Sequence, residues 1–174
     1  YYLEDDSTTG FIRPYEDGYS FMALLPKEGI SIEDYISHLS AEKLIGLVEN
    51  VSTDYDVDAA IPKFKSEYSI ELKDTLQNMG MTDAFDEEQA DFCGIGTSDN
   101  GNIYINMVLH KTYIEVDEQG TKAGASTVVG MVETMSLYEP EIKTVHLDRP
   151  FVYAIIDTET QMPIFLGVTE SVEE

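Results

Sequence analysis

Along the chain, apolar positions recur first with the two-residue period of strands. Thr9 to Tyr15 and Tyr19 to Pro26 flank "EDG", which predicts an antiparallel hairpin. The period then changes. In "SIEDYISHLS", Ser31 and Asp34 have capping-box spacing and Ile32, Tyr35, Ile36 and Leu39 fall on one face, so a helix starts there. "AEKLIGLVENV" continues as a second short helix, and "AAIPKFKSEYSI" is extended around Pro62. "ELKDTLQNMG" predicts an amphipathic helix with Leu72, Leu76 and Met79 inward and Gly80 as its C-terminal cap.

The longest pattern follows the turn signal "TSDNGN". Tyr104, Asn106, Val108, His110, Thr112, Ile114 and Val116 form one alternating set, and Ile103, Ile105, Met107 and Leu109 begin the other. Read as one strand, Ile103 to Asp117 would span roughly 50 Å and would demand a large sheet. Phe151 to Ile156 and Pro163 to Val168 predict two further strands joined by a polar turn, each buried on two faces. Between the long strand and this pair, Gln119 to Lys143 has no period at all, and loops that long inside a compact domain are usually functional. The expected architecture is strand-rich α+β, mostly antiparallel, with about three short helices and neither a βαβ rhythm nor an internal repeat.

Composition narrows the function more than the fold. The 174 residues are 43% hydrophobic, ample for the core of one domain. With 34 acidic against 10 basic side chains, the net charge of −24 disfavours nucleic acid and anionic membrane as partners and leaves cationic surfaces attractive. The single Cys93 excludes an internal disulfide framework and any multi-cysteine metal site, and it has no adjacent base to make it a nucleophile. His38, His110 and His146 are scattered without ligand spacing. "DYDVDAA" starts like a calcium loop, but Ala59 and Lys65 stand where Gly and Glu belong, so it reads as an acidic connector. No metal, cofactor or catalytic group is expected. "NVS" at Asn50 is a glycosylation sequon in spelling alone, and no apolar run is long enough to span a membrane. "YYLEDD" is no signal peptide; it reads as the interior of a longer chain and leaves localisation open.

Three stretches in order, "IPKFKSEYSIELKDTLQNMGMTDAFD", "LHKTYIEVDEQGTKAGAST" and "LDRPFVYAIIDTETQMPIFLGV", together resemble the serpin family of protease inhibitors. The resemblance covers nearly the whole chain. It implies the C-terminal part of a serpin fold, of prokaryotic type, with the N-terminal half absent and the long strand therefore short of partners. It implies an inhibitor rather than an enzyme, directed at serine or cysteine endopeptidases, with a reactive loop over about 119–143. After cleavage the front of that loop inserts into the large sheet as a new strand. Glu118, Gly120, Thr121, Ala123, Gly124, Ala125, Ser126 and Thr127 match an inhibitory-type hinge, and small side chains are what a strand entering a closed sheet needs. Gln119 and Lys122 depart mildly from the commonest hinge residues. A flexible linker uses the same residue types, but would not be expected between "EVDEQGT" and "LDRPF".

Family spacing places the cut sixteen positions after Glu118, giving Thr134-Met135 as first choice and Met135-Ser136 as second, with Met131 and Tyr138 weaker alternatives. Either suits an elastase-like pocket, and neither offers the Arg or Lys that a trypsin-like pocket takes. Lys63 resembles the lysine that pairs with the hinge glutamate, and His110 a buried hydrogen-bonding latch in the long strand. The family also implies an extracellular or cell-surface parent. Within this fragment the resemblance implies no inhibition, and self-association through open sheet edges. The alternatives are a non-inhibitory carrier or binding module, and a truncated remnant acting as an interaction domain. The ending "GVTESVEE" departs from the usual serpin ending.

Overall fold

A computed structural model describes residues 1–15, 17–117, 120–121 and 140–171, with the side chains of 120 and 121 excluded. The chain divides into two compact units, Tyr1–Phe64 with Glu115–Glu174, and Lys65–Ile114.

The first unit is built on an antiparallel sheet of five strands: β1 (Tyr2–Glu4), β2 (Thr8–Pro14), β3 (Tyr19–Pro26), β9 (Phe151–Asp157) and β10 (Pro163–Thr169), in that order across the sheet. The β2–β3 hairpin forms where its turn signal predicts. Gly18 takes φ +78°, a left-handed conformation that glycine adopts without strain, and the Tyr15 N–H donates to the Tyr19 carbonyl to close the ladder. β3 and β9 are central and buried on both faces, β3 from Ser20 and β9 as far as Ile156. Two helices, α1 (Ile32–Ser37) and α2 (Ala41–Glu49), cover one face. Each starts on a serine: the Ser31 and Ser40 side chains accept from the N–H groups of Asp34 and Lys43, caps worth about 1 kcal/mol apiece. Ile32 and Tyr35 of α1, and Leu44, Leu47 and Val48 of α2, join Leu3, Ile12, Met22, Leu24, Val152, Ala154 and Ile156 in one core. The opposite face carries Phe64, Phe151, Tyr153 and Phe165, an aromatic group with ring centroids 5.0–6.1 Å apart along its contacts. Tyr153 lies over Gly167, where a Cβ would strike its ring.

Beside this sheet in sequence, though unpredicted, is a parallel pair, β4 (Tyr55–Ala60) with β8 (Glu141–His146). The acidic "DYDVDAA" is thus a strand rather than a connector, and the aperiodic segment ends before Lys143, because Glu141–Lys143 already belongs to β8.

The second unit contains most of β5 (Phe64–Glu71), the first part of β6 (Leu109–Asp117), α3 (Lys73–Asn78) and a 3-10 turn at Asp83–Phe85. Gly80 ends α3 at φ +102°; its N–H donates to the Gln77 carbonyl and that of Met81 to Leu76, which satisfies two carbonyls at the helix end. Asn102 Nδ2 donates to the carbonyls of Ala90 at 2.7 Å and Glu87 at 3.1 Å, tying the long loop to itself.

Four expectations are corrected. β6 has nine residues, not fifteen, because the backbone before it bonds elsewhere: Ile105 N–H to the Ala84 carbonyl and Val108 N–H to the Glu71 carboxylate. β10 is not buried on two faces; it is an outer strand, with Ile164 and Leu166 exposed. Met79 is 79% exposed rather than inward; it caps the end of α3, a helix that buries none of its residues. Ile36 also lies exposed, at the edge of the α1 apolar face.

Candidate functional site

The candidate site is the pair of anchors from which residues 122–139 depart and to which they return. The departing anchor is the end of β6. Within the first unit Val116 is buried, and its backbone pairs with Thr121 while Asp117 pairs with Gly120 in the two-residue strand β7. The chain therefore reverses and starts back antiparallel along β6. The order β5-β6-β7 puts this start on the edge of β6 that β5 does not occupy. Along β6 the even-numbered side chains Ile114 and Val116 are buried, whereas Leu109, Lys111 and Tyr113 are exposed.

The returning anchor is β8. Its partner β4 stands more than eighty positions earlier in the chain and runs parallel to it, from Tyr55 opposite Glu141 to Ala60 opposite His146. Inward, Val145 is buried, and Lys143 reaches over two rings, 4.6 Å from the Tyr55 centroid and 5.9 Å from that of Tyr2, which meet edge to face at 5.5 Å. A 2.6 Å bond to Glu141 holds the Lys143 ammonium charged and raises its pKa. The Tyr2 phenol is pushed up to about 12, first by burial and then by its bond to Glu4. Outward, His146 Nε2 lies 3.1 Å from Asp58 Oδ2. The strand is finished by Leu147, whose N–H donates to the Ala60 carbonyl, and by Arg149, which donates twice to the Pro26 carbonyl at the end of β3.

Of the residues singled out in the sequence, Gly120 and Thr121 form β7. Glu118, Ala123, Gly124, Ala125, Ser126, Thr127, Thr134, Met135 and Ser136 lie outside the described residues. Lys63 is exposed in the connection between β4 and β5, and its expected partner Glu118 is among the residues not described. His110 is the second residue of β6 and is exposed in this chain, not buried as the resemblance implied, because the covered part of β6 begins only at Ile114. The parallel β4–β8 anchor went unpredicted. The alternation in "EIKTVH" was its one local trace, since a pairing over this separation leaves no turn signal.

A model of the family described as serpin (serine protease inhibitor) matches residues 1–171. An uncharacterized serpin-like protein of Thermococcus kodakarensis is 37% identical over 167 residues, 95% of this chain and 38% of its own length. Among solved structures, the native state of the thermophilic serpin tengpin superposes with a TM-score of 0.79 at 49% identity, covering 98% of this chain and 43% of that one. A loop C-sheet serpin polymer gives 0.66 at 38% identity, over 99% and 44%. The chain thus spans about two-fifths of the length of the relatives it matches.

Proposed function

The chain belongs to the serpin family, whose members are generally protease inhibitors, and from that premise we propose that the protein carrying it is a suicide-substrate inhibitor of serine or cysteine endopeptidases. The observation that carries the reading is the pairing of Gly120 and Thr121 with Asp117 and Val116. It is the first rung of an antiparallel ladder along the outer edge of β6. Continued in the same register, that ladder would set Ala123 opposite Ile114, Ala125 opposite Thr112 and Thr127 opposite His110. Those are the small residues of the hinge, and they would share a face with buried Ile114 and Val116. Lys122, Gly124 and Ser126 would fall on the exposed side, where a charged Lys122 costs little.

In this reading the protease nucleophile attacks the Thr134 carbonyl, or that of Met135 in the second register. The peptide bond breaks, the new amino terminus departs, and an acyl-enzyme remains. Insertion of the hinge then adds main-chain hydrogen bonds to the sheet and carries the acylated protease away before water can release it. Thr134 or Met135 before the cut suits the small or medium apolar pocket of an elastase-like protease, and the family habit favours an extracellular or cell-surface setting. Self-association belongs to the same proposal, because β10 shows exposed Ile164 and Leu166 on an outer strand of its sheet.

The test mixes the natural gene product carrying this sequence with a panel of serine and cysteine proteases. A band that survives denaturing electrophoresis at the summed mass, lost in an Ala125→Arg variant that is merely cleaved, is the expected result. Clean cleavage of the unaltered protein without a covalent band, and without a rise in Tm, would favour a non-inhibitory carrier.

A further inference from the structure

An asparagine side chain can react with its own backbone where the next residue lets the chain fold back on it. Of the five asparagines in the chain, only Asn100 is followed by glycine; Val51, Met79, Ile103 and Met107 follow the others. A side chain on the following residue crowds the approach of its backbone nitrogen to the asparagine Cγ, and glycine has none. Asp99 and Asn100 form a turn ahead of Gly101, which takes φ +133° and has no atom beyond its chain neighbours within 4 Å of where a Cβ would stand. Elsewhere the side-chain amides are held: Asn50 Nδ2 donates to the Gly46 carbonyl at 2.7 Å, and Asn102 Nδ2 to the carbonyls of Ala90 and Glu87. Among the described residues the Asn100 side chain makes no hydrogen bond, while its N–H donates to Ser98 Oγ at 3.1 Å. Asp17 is also followed by glycine, but its turn is clamped. The Tyr15 N–H donates to the Tyr19 carbonyl, and the Gly18 carbonyl accepts from both the N–H and the hydroxyl of Thr158.

We propose that Asn100 is a site of spontaneous covalent modification through which the second unit ages. The Gly101 nitrogen gives its proton to a base in the solvent and attacks Asn100 Cγ. A C–N bond closes a succinimide ring, the Cγ–Nδ2 bond breaks, and the nitrogen leaves as ammonia with a proton from the solvent. Water then opens the ring at either carbonyl and leaves aspartate or isoaspartate at position 100. Nothing is oxidised or reduced, and water is the one co-reactant. The step requires water at the turn and no face open to a partner, and it does not depend on the inhibitory reading. Isoaspartate routes the backbone through the former side chain, which lengthens it by a methylene and sets a new carboxylate beside Asp99. The change falls just before Asn102, which ties the loop to itself, and Ile105, whose N–H donates to the Ala84 carbonyl. Both ties loosen, and with them the approach to β6.

The experiment incubates the natural gene product, folded and in parallel unfolded in urea, in mildly alkaline and mildly acidic buffer. In the folded alkaline sample the peptide holding Asn100 should gain about 1 Da and accept a methyl label from an isoaspartyl methyltransferase. Its conversion should exceed that at the other asparagines and at Asp17 by at least about tenfold, and should slow in the acidic buffer. Asn100→Gln, whose longer side chain closes the ring poorly, should remove the label from this position and leave Tm unchanged. If position 100 keeps its amide in the folded protein while the unfolded protein converts, the turn protects it and the proposal is overturned. Hydrogen exchange reads the consequence: the Ile105 amide should exchange at least about fivefold faster in aged than in fresh protein, and not in aged Asn100→Gln. Conversion with unchanged exchange at Ile105 would uphold the site and overturn the loosening.

Discussion

β3 and β6 are strands of eight and nine residues, yet Phe21 to Leu25 of β3 are almost wholly inaccessible while only Ile114 and Val116 of β6 are buried. The difference lies in the more polar sequence of β6 and in the neighbours of each strand. β3 is paired on both edges, by β2 and β9, and covered on its two faces by the α1–α2 core and by aromatic side chains. Among the described residues, β6 has β5 along one edge and the two-residue β7 along the other. A strand closed on every side contributes stability and nothing else. A strand whose edge is open offers backbone donors and acceptors that another strand can satisfy, which is the property an inserting loop requires.

The comparison can be broken, beginning with the largest effect. Gly10 of β2 has no room for a Cβ, which would be driven against the Ala23 carbonyl of β3. Gly10→Val should cost about 3 kcal/mol or more and yield largely insoluble protein, read by urea unfolding of whatever folds. Next, Met22→Ala in β3 should cost about 2–5 kcal/mol, whereas Leu109→Ala in β6 should stay within about 0.5 kcal/mol. Equal losses in those two variants would show that β6 is as enclosed as β3.

A third, smaller effect is electrostatic. Burial opposes ionisation of Asp5, but bonds from the N–H groups of Ser7 and Thr8 and from the Ser7 hydroxyl outweigh it, and Lys43 adds attraction, so its pKa lies below the usual value. A depressed carboxyl pKa stabilises the fold above the unfolded value near ~3.9 and loses that contribution as pH falls through the folded-state value. Asp5→Asn should therefore cost about 1–2 kcal/mol at neutral pH and flatten the acid limb of the stability profile in this pH window. The smallest effect has the opposite sign. A Cβ at Gly46 in α2 meets no atom, so Gly46→Ala should stabilise the first unit by about 0.5–1 kcal/mol, raising its Tm while leaving any response of β6 unchanged.

How much of this was legible in the sequence follows the range of the forces involved. The β2–β3 and β9–β10 hairpins, the serine cap of α1 and the glycine end of α3 were readable because each is decided within a few residues. β4 and β8 were not, because Tyr55 meets Glu141 only through the fold and neither strand alternates strongly enough to declare itself. The first six positions of the supposed long strand alternate as well as the rest, but periodicity records which side chains share a face and not whether a neighbour exists to receive the hydrogen bonds. β10 shows the same limit: its run Ile164 to Leu166 is as apolar as β9, and only its outer place in the sheet leaves it exposed. The hinge is a special case. Its small residues were conspicuous as a departure from pattern, and their meaning came from the resemblance to serpins, to which the Val116–Thr121 rung adds a physical starting point.

The pairing of β3 with β9 also governs how this molecule is made. Leu24 and Val152 stand opposite each other but are separated by 128 positions in the chain. A ribosome adding roughly 5–20 residues per second leaves the inner edge of β3 waiting about 6–26 s for its partner to be synthesised. Throughout that interval a strand that ends up buried on both faces is present without the neighbour that will pair with it. Synonymous changes that alter translation speed between the two strands should therefore alter yield without changing a single residue.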